Sequence, residues 1–132
     1  MRPLLLAAAI FALTASATAV AAPGDAQDHR DCFANTQWRG WSAAHDGDTV
    51  YLKVGMNDVY QVDLTPGSHV HRLSDQFLVN RAVGSGWVCS AVDLNLTLND
   101  PYGGVVRPIV ARSLHRLSPA EIEASPERDR PH

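Results

Sequence analysis

The sequence predicts a small all-β domain: a barrel or strongly curled antiparallel sheet of about six strands, with a short C-terminal helix. Three observations predict it. Apolar and polar residues alternate with a period of two through Thr49–Val54, Val59–Leu64 and Val92–Leu98. Turn residues cut the chain at short intervals, Asp46-Gly47 being the strongest hairpin signal. Helix-start chemistry gathers near Ser118.

The elements follow in order. Gln37 to Ala43 is the first strand, with Arg39, Trp41 and Ala43 on one face and Trp38, Gly40 and Ser42 on the other. After the turn around Asp46-Gly47, Val50, Leu52 and Val54 point one way and Tyr51 and Lys53 the other. Gly55 to Asp58 is a second tight turn. In the next strand Tyr60, Val62 and Leu64 oppose Val59, Gln61 and Asp63. Connections this short make the three strands neighbours in a meander. Thr65-Pro66-Gly67-Ser68 then breaks the chain.

Asp75 to Arg81 is expected as a short strand through Phe77 and Val79, and Val83 to Trp87 as a glycine-rich approach to Cys89. In Val92 to Leu98, residues Val92, Leu94, Leu96 and Leu98 are expected inward. The last strand is expected over Pro108 to Leu114, its proline at the start, where a missing donor is tolerated. So many short strands beside one small helix imply closure, which buries apolar faces and removes edges. Ser118 as N-cap, Pro119 at N1 and Glu121 at N3 form a capping box, and Pro126 stops the helix. Leu117 is placed to staple onto Ile122. A helix this short must dock or fray.

The first residues read as an export signal: Arg2, an apolar run from Leu4 to Leu13, then small residues ending in a cleavage site before Ala22. The run is too short for a standard membrane span. No cysteine follows the site, so neither a membrane span nor a lipid anchor is expected. The expected boundaries are 1–21 for the signal, 22–30 for a flexible lead-in, 31–124 for one β-rich domain and 125–132 for a disordered tail. Location in the periplasm, or secretion, follows. The whole sequence carries a formal net charge of −3, and removing the signal takes away one arginine. The remaining bases are scattered, so the phosphate neutralisation that nucleic acid demands is not offered.

Two cysteines, Cys32 and Cys89, allow one internal pairing. An exported chain meets an oxidising compartment, so a structural disulfide is expected. Chain-entropy arithmetic gives such a loop roughly 4 kcal/mol of stabilisation. Neither cysteine lies in a C-x-x-C arrangement, which argues against a redox motif.

Catalytic, cofactor and metal residues are not assigned. On a strand His69 and His71 would share a face as half of a metal site, with His45 or His115 as a third ligand only if folding brings it there. Asp46, Asp48, Asp58, Asp63, Asp75 and Asp93 form no organised pair. Gly84-Ser85-Gly86 lacks the surroundings of a nucleophile elbow. Asn95-Leu96-Thr97 matches a glycosylation sequon on an expected strand. Trp38 and Trp41, on opposite faces by parity, are the candidate contact surface for a sugar, peptide or protein, the alternative being that both wrap into the core.

The order D-C-F at 31–33, W-R-G-W at 38–41, D-G-D-T-V-Y-L-K-V at 46–54, D-V-Y-Q-V-D-L at 58–64, W-V-C-S-A-V-D-L at 87–94 and L-H-R-L-S-P-A-E-I at 114–122 resembles a family of small exported proteobacterial proteins of unknown function. The resemblance covers residues 31 to about 124, and its cysteines fall on Cys32 and Cys89. Members of that family often carry two further cysteines, where this chain reads P-G-S-H-V at 66–70 and V-V-R-P-I at 105–109. The joint absence fits loss of a second disulfide as a unit. The resemblance implies location and domain extent but no mechanism. The leading expectation is therefore a non-enzymatic periplasmic module that binds a protein partner or envelope component. The alternatives are a small hydrolase with a dispersed Asp/His/Ser site, and a metal-binding protein using His69 and His71.

Overall fold

The structure is a computed structural model, and it describes residues 31–71, 76–81, 86–104 and 107–132. The expected signal and lead-in lie outside the described residues. Nine strands are described: β1 (Phe33–Ala34), β2 (Trp38–Ala43), β3 (Thr49–Val54), β4 (Asp58–Leu64), β5 (Phe77–Asn80), β6 (Trp87–Val88), β7 (Leu96–Asn99), β8 (Arg107–Ile109) and β9 (Ala111–Arg116). One α-helix, α1, spans Pro119–Ala124.

Pairing is antiparallel throughout, in three separate sheets: β2-β3-β4-β9, β5-β7-β8 and β1-β6. The expected all-β composition and the β2–β3–β4 meander are present. The expected barrel or strongly curled single sheet is not, because no sheet closes on itself. The physical need behind that expectation is met differently. Val50, Leu52, Val54, Tyr60, Val62 and Leu64 of the larger sheet join Leu78, Leu96, Leu98 and Ile109 of the smaller one in one buried cluster. Each sheet thus buries its apolar side chains against the other, and closure is unnecessary.

Three local departures have identifiable causes. The expected final strand is two strands, because the chain passes from the smaller sheet to the larger at Val110, which is exposed. Its backbone oxygen accepts from Thr65 N at 3.0 Å. Val92 is exposed rather than inward, because Ala91–Asp93 forms a 3-10 turn. The Asp93 carboxylate builds that turn by accepting from Cys89 N (3.0 Å), Ser90 N (2.9 Å) and Ser90 Oγ (3.1 Å). Leu94, Leu96 and Leu98 remain buried as the alternation requires.

The third departure is a β-bulge in β2. Trp38 pairs with Val54, but Gly40 pairs with Lys53, so Arg39 is an extra residue. Parity is broken there, and Trp38 and Trp41 fall on the same, core-facing side instead of opposite sides.

The capping box on α1 is as expected: Glu121 N donates to Ser118 Oγ (3.2 Å), and Glu121 Oε2 accepts from Ser118 N (2.7 Å). Residues 125–132 follow α1 and return to the larger sheet. They carry a 3-10 turn at Glu127–Asp129, and Asp129 is buried.

Candidate functional site

Antiparallel pairing of β4 with β9 places Tyr60 opposite Arg116. Asp58, two residues before Tyr60, lies on the same side, and Arg116 Nη2 reaches its Oδ1 at 2.7 Å. That ion pair caps one end of the core. Leu117 N donates to Val59 O at 2.9 Å, extending the pairing by a residue before Ser118 starts α1. His115, on the other side of β9, meets Glu121 of the helix, Nε2 to Oε1 at 3.3 Å.

The result is a hollow of about 490 Å³ between the strand ends and α1, lined in part by Asp58, Leu117, Pro119 and Ile122. A second hollow of about 180 Å³ runs beneath it past Tyr60, Leu114 and Cys89. The two share Asp31, His115 and Arg116 and so adjoin. The outer hollow is mainly apolar, with Asp58, Arg116, His115 and Glu121 at its rim. Asp58 holds the Arg116 guanidinium above its ordinary range. Donation from Ser118 N, then from His115, holds Glu121 below the carboxylate range. Burial pushes the Tyr60 hydroxyl up, helped by Asp58 and Asp31. A carboxylate held ionised as Glu121 is makes a weak base.

Cys32 and Cys89 form the expected disulfide, with Cα atoms 4.2 Å apart. It sits beside the β1–β6 pairing of Phe33 with Val88 and borders the deeper hollow. Trp38 and Trp41 are half-buried and pack against the core. The Trp38 indole Nε1 donates to Gly40 O at 2.7 Å, across the bulge. The exposed tryptophan is instead Trp87, on β6, and Tyr102 and Phe77 are exposed as well. Sequence patterning assigned Trp87 only to a glycine-rich approach, because a two-residue strand carries no period.

The His69 and His71 rings stack loosely, with centroids 6.3 Å apart. His69 has φ of 48° and is held in a loop whose Gly67 N donates to the Asp48 carboxylate at 3.0 Å. His115 lies beside Glu121 in the α1 groove, while His45 and His71 border a separate hollow. Among the described residues no group of three or more His, Cys, Asp or Glu is placed to hold a metal ion.

Asp63, Ser113 and His115 share the outer face of the larger sheet. Ser113 Oγ donates to Asp63 Oδ2 at 2.6 Å, and this contact keeps Asp63 below its ordinary range. The imidazole of His115 is turned to Glu121. A serine nucleophile needs its proton taken by a base such as histidine, and Ser113 Oγ meets a carboxylate here instead. Of the sequon, Asn95 is exposed and Thr97 is buried; Ser85 lies outside the described residues. Comparison with protein-family models, curated proteins and solved structures finds no match to this chain.

Proposed function

We propose that this chain is an exported, non-enzymatic module that binds a protein partner or envelope component, and that the groove beside α1 is its contact site. We also propose that it belongs with the small exported proteobacterial proteins whose motif order it resembles. The observation that carries the binding reading is that two neighbouring hollows share Asp31, His115 and Arg116. An open groove with a mainly apolar wall and charges at its rim has the chemistry of a protein contact.

The test is photo-crosslinking in the producing cell, with a photoreactive residue at Ile122 and a control at Pro66, on the loop after β4. The expected result is one discrete adduct from position 122, none from position 66, and at least tenfold less adduct when Asp58→Lys reverses the rim charge. No adduct at 122, or the same adduct from both positions, overturns the reading.

A further inference from the structure

The last residues of the chain lie on the outer face of β2 and fit it closely. By its register with β3, β2 turns Gly40 and Ser42 to the side opposite the core, next to Lys53 and Tyr51. Ser42 is nevertheless fully buried, because residues 126–132 cover it. Its hydroxyl donates to the backbone oxygen of Asp129. Two residues back along β2, a Cβ built on Gly40 would lie only 2.8 Å from the backbone oxygen of His132. Only glycine admits the segment there. The tail therefore runs along β2 from Ser42 towards Gly40.

The segment is also self-contained. Its 3-10 turn is closed by Asp129 N on Pro126 O (2.9 Å) and Arg130 N on Glu127 O (3.2 Å). The Arg130 guanidinium holds the end of α1, at Ser125 O (3.0 Å) and Glu123 O (2.7 Å). Among the described residues a single hydrogen bond, from Ser42, joins the tail to the sheet. The Asp129 carboxylate is buried near Tyr51, whose hydroxyl is pushed up first by burial and then by that charge. Beside Arg128 a hollow of about 210 Å³, bordered by His45 and His71, remains open.

A receptor face that fits its occupant closely, joined to it by one hydrogen bond, is the geometry of a resident ligand. We infer that the outer face of β2 is a peptide-docking surface, occupied in cis by residues 126–132. The partner it fits is a short protein segment that takes up the same turn and carries the same chemistry, a carboxylate between two arginines, and displaces the tail. This surface is separate from the α1 groove, so the two readings stand or fall independently.

The test uses a labelled octapeptide of residues 125–132 and two full-length proteins: the natural chain, and one whose residues 126–132 are replaced by an equal Gly/Ser stretch. A tethered tail competes at an effective concentration in the millimolar range. The peptide should bind the replaced chain at least tenfold more tightly than the natural chain, and Ser42→Ala in the replaced chain should cost a further five- to tenfold. Absence of binding to a replaced chain with a cooperative thermal transition overturns the inference, as does equal binding to both proteins. If the replaced chain does not fold, hydrogen exchange on the natural chain decides. Amides of 129–130 opening ahead of β3 and β4 support the inference, and opening only with global unfolding overturns it.

Discussion

The larger and smaller sheets are built by opposite strategies. In the larger sheet, β2, β3 and β4 follow one another through tight turns, and the strand alternation alone dictates which side is buried. Leu52 and Val62, with no exposed surface, sit at its centre. The smaller sheet joins β5, β7 and β8 through longer connections than the meander's turns and is pinned by polar groups, while the larger sheet takes in one distant strand, β9. The side chain of Asn80 accepts from Asn95 N (2.8 Å) and donates to Asn35 Oδ1 (3.0 Å), joining β5 to the entry of β7 and to the turn after β1. The Cys32–Cys89 bond closes the same region. Pairing across a tight turn needs only pattern, whereas pairing across a longer connection is helped by specific bonds that offset the entropy of closing the loop.

That comparison is broken or sharpened most strongly at the disulfide. Replacing Cys32 and Cys89 with serine should cost roughly 4 kcal/mol in urea unfolding. Hydrogen exchange should show β1, β6 and β7 opening before β3 and β4. Simultaneous loss across both sheets would erase the distinction. Next in size, Leu52→Ala should cost about 3 kcal/mol by leaving a cavity in the meander, and should lower the protection of both sheets together, since they share one core. Asn80→Ala should cost about 2 kcal/mol, because it leaves Asn95 N and Asn35 Oδ1 without partners. A change under half of that in the urea midpoint stability would mean the polar pins are dispensable.

Smallest is the acid response. Asp63 is held below its ordinary 3.8 chiefly by Ser113, and Asp93 below 3.8 chiefly by Cys89 N. A lowered folded value gives stability that is complete above the unfolded value and lost as pH falls through the folded one. The melting temperature should therefore hold above about pH 5 and fall as the pH drops below 3.8. Asp63→Asn and Asp93→Asn should each flatten that fall. An unchanged acid profile in both variants would remove these carboxylates from the account.

The meander, the α1 cap and the cysteine pairing were legible because each rests on neighbouring residues or, for the cysteines, on a choice of one. The bulge at Arg39 was not legible, since an extra residue in a strand leaves no mark on composition, and it moved Trp38 to the core side. Val92 failed for a related reason: the Asp93 side chain outcompeted the strand ladder for the local amides. The α1 groove was half visible. Glu121 follows from the capping pattern, but Asp58 and Arg116 are brought together only by the β4–β9 register. The tail on β2 was hidden because polar, charged sequence reads as solvated until a buried serine is found beneath it.

Val110 sets the mechanics at one edge of the molecule. Ile109 is held in one layer and Ala111 in the other, and the residue between them is tied to Thr65. The slack joining the layers is thus a single residue, with roughly 3.8 Å between successive Cα atoms. At that edge the two sheets cannot move apart by more than about one residue's length without breaking a paired strand.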